Sequence, residues 1–171
     1  IIFLAFLLTF SVCSPIFAAD NTQTGNVTVL FTHDLHSHFL PSNAANGGKF
    51  GGFARLMTVI QQQKAKHPNA VLVDAGDFSM GTLFQTAFKT DALELRMLGA
   101  MGYDVTTFGN HEYDYLPGGL AAMLQAAKAS EERLPAIVQS NYVPAKEGEP
   151  GYRVDSDELA AAFTEFGVQE Y

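Results

Sequence analysis

The residues best suited to chemistry lie between Phe108 and Tyr115, where Phe-Gly-Asn-His-Glu-Tyr-Asp-Tyr brings together an amide, an imidazole and two carboxylates. Side chains of these types bind divalent cations and exchange protons near neutral pH. Two earlier stretches have the same character, Thr-His-Asp-Leu-His-Ser-His at 32–38 and Asp-Ala-Gly-Asp-Phe at 74–78. Each stretch follows a short apolar run with the composition of a β-strand. Three polar clusters behind three strands indicate an active site.

Four apolar runs rich in β-branched and aromatic residues are predicted to be strands, and they cover residues 27–31, 71–73, 105–108 and 136–138. Between them, apolar residues recur every three or four positions, which predicts amphipathic helices. The predicted helices run from Phe53 to just before Pro68, from Thr90 or Asp91 to Gly102, and from Pro117 through 118–129. The alternation is that of an α/β domain with a largely parallel sheet.

Two segments fall outside this alternation. Residues 41–52 contain two Gly-Gly pairs and are predicted to be a loop. Beyond Tyr142 the pattern stops in a stretch rich in Pro, Gly and Glu, and residues 157–166 are expected to form a short helix. Asp155 would be its N-cap, with Glu158 three residues further on.

In a parallel sheet the carboxyl ends of the strands share one edge, and ligands bind there. Polar residues follow all four predicted strands directly, so we expect them to converge at this edge. They are Asp34 and His36, Asp77, Asn110 and His111, and Asn141. Each cluster alone is also compatible with a surface loop, a turn or a helix cap. Their occurrence in order at strand ends favours a common site.

The residue types predict a two-metal site. Asp34 and His36 present a carboxylate and an imidazole within reach of one cation, and Asp77 could bridge two cations with its two oxygens. Asn110 offers an amide oxygen to the second cation. Mixed oxygen and nitrogen ligation suits Zn, Mn, Fe, Co or Mg and does not choose between them. Two such ions would clamp a phosphate and supply a hydroxide that attacks the phosphorus.

His111 is then free to act as a general acid or to stabilise the transition state. Asp114 lies three residues further on, close enough to hydrogen-bond the imidazole and hold its orientation. His38 and His67 are interpreted as surface histidines. His33 is either a hydrogen-bonding partner of the site or a bystander.

The composition bounds the function. A chain of 171 residues with 47% hydrophobic content is enough for one domain with a core, or for the front part of a larger protein. The net charge of −8 argues against binding nucleic-acid polymers, which requires Lys and Arg to neutralise phosphates. It does not exclude a small anionic substrate, because bound metal ions reverse the local field. The oligomeric state is left open.

Residues 1–19 carry no charge and are mostly Ile, Leu, Phe and Ala. Their apolar core is short for a membrane span, so they are predicted to be a signal peptide, followed by a linker over 20–26. This predicts a secreted, periplasmic or cell-surface protein with no stable membrane span after cleavage; an N-terminal anchor is the alternative. Residue 1 is not Met, so the true start is expected upstream.

The single cysteine, Cys13, lies in this leader, which excludes disulfides and thiolate ligands from the remainder.

Four segments together resemble the secreted 5′-nucleotidases, a family within the calcineurin-like metallophosphoesterases that also includes UDP-sugar hydrolases and 2′,3′-cyclic-nucleotide phosphodiesterases. They are Thr-His-Asp-Leu-His-Ser-His at 32–38, Gly-Gly-Phe-Ala-Arg-Leu at 51–56, Asp-Ala-Gly-Asp-Phe-Ser at 74–79 and Gly-Asn-His-Glu-Tyr-Asp-Tyr at 109–115. The resemblance implies a layered α/β/β/α domain and two divalent metal ions. It implies that Asp34 and His36 bind the first ion, Asp77 bridges both, and Asn110 binds the second.

The resemblance further implies that His111 and Asp114 form a catalytic His–Asp pair. His33 stands where the family usually has Asn, which affects only the tuning of the first metal ligand. The family completes its sites with later Gly-His-X-His-like segments and with a C-terminal nucleotide-binding domain. Neither occurs between Asn141 and Tyr171. Residues 27–171 are therefore expected to be the N-terminal part of a longer metallophosphoesterase domain, which alone would bind metals weakly and hydrolyse little.

The predicted function is a secreted two-metal phosphohydrolase that releases phosphate from nucleotides or related esters. A 2′,3′-cyclic-nucleotide phosphodiesterase or UDP-sugar hydrolase on the same domain is the alternative enzyme, and a sulfur-ester hydrolase is a more distant one. A different class is an inactive fragment or non-catalytic binding protein. The intact set of site residues argues against that class.

Overall fold

A computed structural model describes residues 25–169, so the predicted leader and most of the predicted linker lie outside the described residues. Short helices and strands alternate along the chain, with two short 3-10 helices at Leu83–Ala87 and His111–Tyr113. The strands are β1 (Val29–Thr32), β2 (Ser42–Asn43), β3 (Lys49–Phe50), β4 (Val71–Asp74), β5 (Val105–Thr106) and β6 (Ala136–Ile137). The helices are α1 (Phe53–Lys66), α2 (Phe88–Asp91), α3 (Leu93–Ala100), α4 (Leu116–Ala129) and α5 (Ser156–Phe166).

The main sheet has four parallel strands in the order β1-β4-β5-β6. Val29 pairs with Val71, and Val105 pairs with Ala136, so the strand ends form one continuous edge. The predicted α/β class with a parallel sheet is confirmed. Because the strands follow one another in chain order, right-handed crossovers place all connecting helices on the same face.

The two faces of the sheet differ in burial. Leu72 and Ile137 point into the core, which the helices complete with Leu95, Leu98, Leu120, Met123, Leu124 and Phe163. On the opposite face Val29 and Phe31 are 55% and 60% exposed. Residues 25–169 contain two layers of the expected α/β/β/α arrangement, namely this parallel sheet and the helices packed on it. The only other sheet there is the two-stranded β2–β3 pair.

The observed helix ends show which of the sequence signals determine where a helix begins or ends. Helix α1 ends before Pro68, and Lys64 in its last turn donates to the carbonyl of Gly102. Thr90 and Asp91 do not open α3 as predicted, because they belong to α2. Ala92 separates the two helices with a left-handed backbone, φ 47°. None of the helices within 25–169 is long and apolar enough to cross a bilayer.

Two further predictions need correction. The segment 41–52 is not wholly loop, because β2 and β3 pair within it. Asp155 occupies the N-cap position of α5, but its side chain does not cap that helix. One carboxylate oxygen accepts from the backbone N–H of Gly118 at 3.2 Å and the other from Arg153 Nε at 3.0 Å. These donors satisfy the carboxylate in place of the α5 N-terminus.

Candidate metal centre at the carboxyl edge of the sheet

Backbone hydrogen bonds join the turns that follow β1 and β4. The N–H of Asp34 donates to the carbonyl of Gly76 at 3.0 Å, and the N–H of His36 donates to the carbonyl of Asp77 at 3.0 Å. Parallel pairing of β1 and β4 therefore continues past the end of the sheet. It places the first two polar clusters side by side, as expected from the sequence.

Two glycines allow the turns after β4 and β5 to touch. Gly76 has φ 89°, a conformation that L side chains rarely adopt, and a Cβ there would overlap the backbone of Gly109. A Cβ on Gly109 would in turn overlap the carboxylate of Asp77. The close approach of the Asp-Ala-Gly-Asp and Gly-Asn-His turns thus requires glycine in both.

His36, Asp77 and His111 form a compact group of metal-ligand types. Their ligand atoms all lie within 4.8 Å of one another. The rings of His36 and His111 meet edge to face, with centroids 5.1 Å apart. This distance range is what one or two bound cations require of nitrogen and oxygen donors, whose bonds to zinc are about 2.0–2.2 Å.

The orientation of His36 fits a cation. Its Nδ1 lies 3.2 Å from the carbonyl oxygen of Ser79, which can only accept, so Nδ1 carries the proton in the neutral ring. Its Nε2 then presents a lone pair, 3.3 Å from Asp34 Oδ1. Two electron-pair donors this close repel one another unless a proton or a metal ion lies with them. The donor set therefore fits a divalent cation held by Asp34 and His36.

His33 is a hydrogen-bonding partner of the site. Its Nδ1 contacts Asp34 Oδ2, which lowers the pKa of the Asp34 carboxyl chiefly through this hydrogen bond. The His33 ring also lies against Phe31, with centroids 5.5 Å apart. Of the two interpretations that the sequence left open for His33, the structure favours the partner. His38 and His67 are exposed, as predicted.

Asp77 and Asn110 occupy the neighbouring turns. Asp77 Oδ1 accepts from the backbone N–H of His111 at 2.8 Å, which leaves Oδ2 available to a ligand. Asn110 precedes the 3-10 helix at His111 and is exposed at the same turn. Asn141, expected at this edge, accepts a hydrogen bond from Gln139 Nε2 at 2.5 Å.

His111 and Asp114 form a hydrogen-bonded pair, as their spacing of three residues predicts. The distance from Nδ1 to Oδ2 is 2.7 Å, and this hydrogen bond raises the pKa of His111, against a smaller opposite effect of burial. With Nδ1 bound to the carboxylate, Nε2 is the nitrogen available to a substrate. Both side chains are more than a third exposed, so solvent and small molecules reach them.

Glu112 was not identified from the sequence as a functional residue. It is fully buried, and its carboxylate accepts from the N–H groups of Asp77, Ser79 and Gly109 and from the Ser79 hydroxyl. Burial raises its pKa, while these hydrogen bonds lower it. The available signal was the Gly-X-X-Glu spacing from Gly109, half of a capping box.

The backbone around the centre is unusual. Non-glycine residues adopt left-handed φ angles here, at Asp34, His36, Ser37, Asp77 and Met80. Such conformations are unfavourable for L residues and tend to concentrate at functional sites.

The comparisons with known proteins agree with this geometry. The family described as calcineurin-like phosphoesterase matches residues 27–156. The chain is 37% identical over 109 residues to the 5′-nucleotidase of Homo sapiens, covering 60% of this chain and 19% of that protein. It is 35% identical over 105 residues to the trifunctional nucleotide phosphoesterase protein YfkN of Bacillus subtilis, covering 61% of this chain and 6% of that protein.

Among solved structures, a 5′-nucleotidase precursor from Thermus thermophilus superposes with a TM-score of 0.60 and 28% identity, covering 71% of this chain and 23% of that chain. The chain thus spans about a fifth or less of the length of these curated relatives. The family match covers most of the chain and includes all three turns of the centre. The protein belongs to the calcineurin-like phosphoesterase family and is related to the 5′-nucleotidases.

Proposed function

We propose that this chain carries the metal-binding and proton-transfer residues of a phosphohydrolase that releases phosphate from nucleotides. The grouping of His36, Asp77 and His111 within 4.8 Å carries the proposal. The names of the human and Bacillus relatives, a 5′-nucleotidase and a nucleotide phosphoesterase, support a nucleotide as the substrate.

Different side chains would bind each of two divalent cations. Asp34 and His36 would hold one ion, Asp77 would lie between the two through its available oxygen, and Asn110 would contribute to the second. When bound, two such ions neutralise phosphate charge and activate the attacking water. The buried Glu112 fixes the two turns that carry Asp77 and His111, so the ligands are positioned before a cation arrives.

His111 would deliver a proton or a positive charge to the substrate. Because the Asp114 carboxylate raises its pKa, a larger share of His111 is protonated near neutral pH than for an isolated histidine. Its Nε2 can then donate to a phosphate oxygen or to the leaving oxygen. Asp114 holds the ring orientation through Nδ1.

We also propose that the protein works outside the cytoplasm. The proposal is supported by the uncharged apolar leader over residues 1–19. A fusion of the leader, from the start codon of the gene through Asn26, to a reporter that matures only after export tests it. A reporter that remains cytoplasmic and uncleaved would refute it.

The activity is tested by product analysis on AMP, a 2′,3′-cyclic nucleotide and UDP-glucose, each in Mn²⁺ and in chelator. The products to be measured are phosphate from AMP, a nucleoside monophosphate from the cyclic nucleotide, and UMP with glucose 1-phosphate from UDP-glucose. We expect slow, Mn²⁺-dependent release from AMP that His111→Ala abolishes and His67→Ala leaves unchanged, because His67 is exposed and lies at the end of α1. Hydrolysis of UDP-glucose or of the cyclic nucleotide, but not of AMP, would replace the 5′-nucleotidase proposal with the alternative enzyme. Mn²⁺ binding without hydrolysis of any of the three would favour a binding protein.

A further inference from the structure

Glu94 is a buried acid that the proposed reaction does not use. It lies in the first turn of α3, none of its surface is exposed, and burial raises the pKa of its carboxyl. One oxygen, Oε1, accepts from the hydroxyl of Ser37 at 2.7 Å. The other, Oε2, is buried without a partner among the described residues. A carboxyl group buried with one oxygen unsatisfied is unfavourable for stability, so its presence calls for another explanation.

Ser37 connects this acid to the candidate centre. It directly follows His36, and both residues have left-handed φ angles, 47° for His36 and 51° for Ser37. Two successive non-glycine residues in this region are strained and persist only where surrounding contacts hold them. The contacts of Ser37 therefore help to hold the backbone that carries the His36 ring, whose Nδ1 contacts the carbonyl oxygen of Ser79.

Every polar group of Ser37 is engaged. Its N–H donates to the carbonyl of Phe78 at 2.9 Å, and its carbonyl accepts from the Thr82 hydroxyl at 2.7 Å. Its hydroxyl donates to Glu94, the contact that joins the loop to α3. On the other side of the loop, a Cβ on Gly81 would lie 2.6 Å from the carbonyl oxygen of His36, so Gly81 packs closely against the loop on that side.

We propose that Glu94 is a positioning residue that anchors the strained His36–Ser37 loop to α3 and so sets the affinity of the first metal site. The inference rests on the proposed function in one respect, that His36 is a metal ligand. The contact acts through geometry: the Ser37 hydroxyl ties the loop to the core of the domain at the residue next to the ligand. Its loss would let the loop relax toward ordinary backbone angles and turn the imidazole away from Asp34.

Metal affinity and folding stability should respond differently when the contact between Ser37 and Glu94 is removed. Removing both polar partners leaves no unpaired buried group, so a Ser37→Ala/Glu94→Leu double variant should fold at least as well as either single variant. The anchor is nevertheless absent from it. Partners that orient a metal ligand typically change metal affinity by about 10–100-fold when removed, and we expect a weakening of about tenfold here.

The experiment is Mn²⁺ titration calorimetry on the full chain, with chemical unfolding of each variant in parallel. Ser37→Ala, Glu94→Leu and the double variant should all bind Mn²⁺ about tenfold more weakly, with no additive effect in the double variant. Glu94→Gln retains an acceptor oxygen for Ser37 and should restore wild-type affinity. Leu98→Ala is the matched control, since it destabilises the same helix from a fully buried position that has no polar atom to offer the loop.

Four results would overturn the inference. Equal Mn²⁺ affinity in the wild type and in all variants would refute the role of Glu94 and leave the metal centre standing. Weakening by Leu98→Ala as large as by Glu94→Leu would show that general loosening of the helix is the cause. A Glu94→Gln variant as weak as Glu94→Leu would show that charge and not the hydrogen bond matters. Absence of Mn²⁺ binding in the wild type would refute the proposed metal centre itself.

Discussion

The buried carboxylate of Glu112 accepts a hydrogen bond from the backbone N–H of Asp77 at 2.9 Å, which joins the turn after β5 to the turn after β4. The same oxygen accepts from the N–H of Gly109 at 2.7 Å, and the second oxygen accepts from Ser79. In return, Asp77 accepts from the N–H of His111. The two turns therefore hold each other through reciprocal contacts between a side chain of one and the backbone of the other.

Glu112→Gln should lower the free energy of unfolding by about 1–3 kcal/mol, because the new amide NH₂ faces backbone donors that then lose their acceptor. Urea unfolding of the metal-free protein measures the change. Glu131→Gln is the control, since Glu131 is exposed and its substitution should stay within about 0.5 kcal/mol. Equal stability of the two variants would show that Glu112 does not hold the turns.

Gly76→Ala should be more destabilising than Gly148→Ala, although the two glycines have nearly the same backbone, φ 89° and φ 88°. Both variants incur the left-handed penalty of about 1–2 kcal/mol. Only at Gly76 does the new methyl group overlap the neighbouring turn, which adds about 1–3 kcal/mol. A Cβ at Gly148 meets nothing within 4 Å, so the Gly148 variant shows the backbone penalty alone. Thermal or urea unfolding of the two variants measures the difference. Equal losses would mean that the turns after β4 and β5 separate easily.

Asp114→Asn should lower the pKa of His111 in the metal-free protein, because the hydrogen bond to the Asp114 carboxylate is the main cause of its elevation. A raised folded-state pKa stabilises the fold below the unfolded-state pKa of about 6.5, and this stabilisation is lost as pH rises through the folded-state value. The variant should therefore lose more stability at pH 5.5 than at pH 8.5. NMR titration of the His111 ring measures the pKa, and unfolding at both pH values measures the stability. Glu147→Gln, an exposed acid on another loop, should change neither. An unchanged titration of His111 in Asp114→Asn would contradict the pairing.

The sequence predicts the elements of this fold where they are long or strongly periodic. The end of α1 before Pro68 and the parallel strands at Val71 and Val105 are confirmed. The split between α2 and α3 could not be predicted, because nothing in the composition around Ala92 requires a left-handed residue there. The β2–β3 pair is missed because its residues, Ser-Asn and Lys-Phe, are exposed and lack the β-branched apolar runs that predict the strands of the main sheet.

For the site, the sequence predicts which residues lie at the carboxyl edge but not what holds them. The proximity of His36, Asp77 and His111 follows from the rule that parallel strands end together. The roles of Glu112 and Glu94 do not follow, since each depends on a long-range contact with another turn, to Asp77 and to Ser37. Buried acids are rare, and apart from the Gly-X-X-Glu spacing at Glu112 the sequence gives no sign of which acids are buried.

Asp77→Asn should separate metal binding from folding more cleanly than any other substitution in the centre. The asparagine oxygen can still accept from the N–H of His111, so the metal-free variant should unfold close to the wild type. The wild type should gain about 2.7 kcal/mol when free Mn²⁺ is 100 times the dissociation constant, and EDTA should remove this gain. For a protein of this size that is a rise in Tm of roughly 5–11 °C by calorimetry. The variant lacks the charged oxygen that faces the cation and should show little rise, whereas His67→Ala should respond like the wild type. A full rise in Asp77→Asn would place the bound ion elsewhere on the protein.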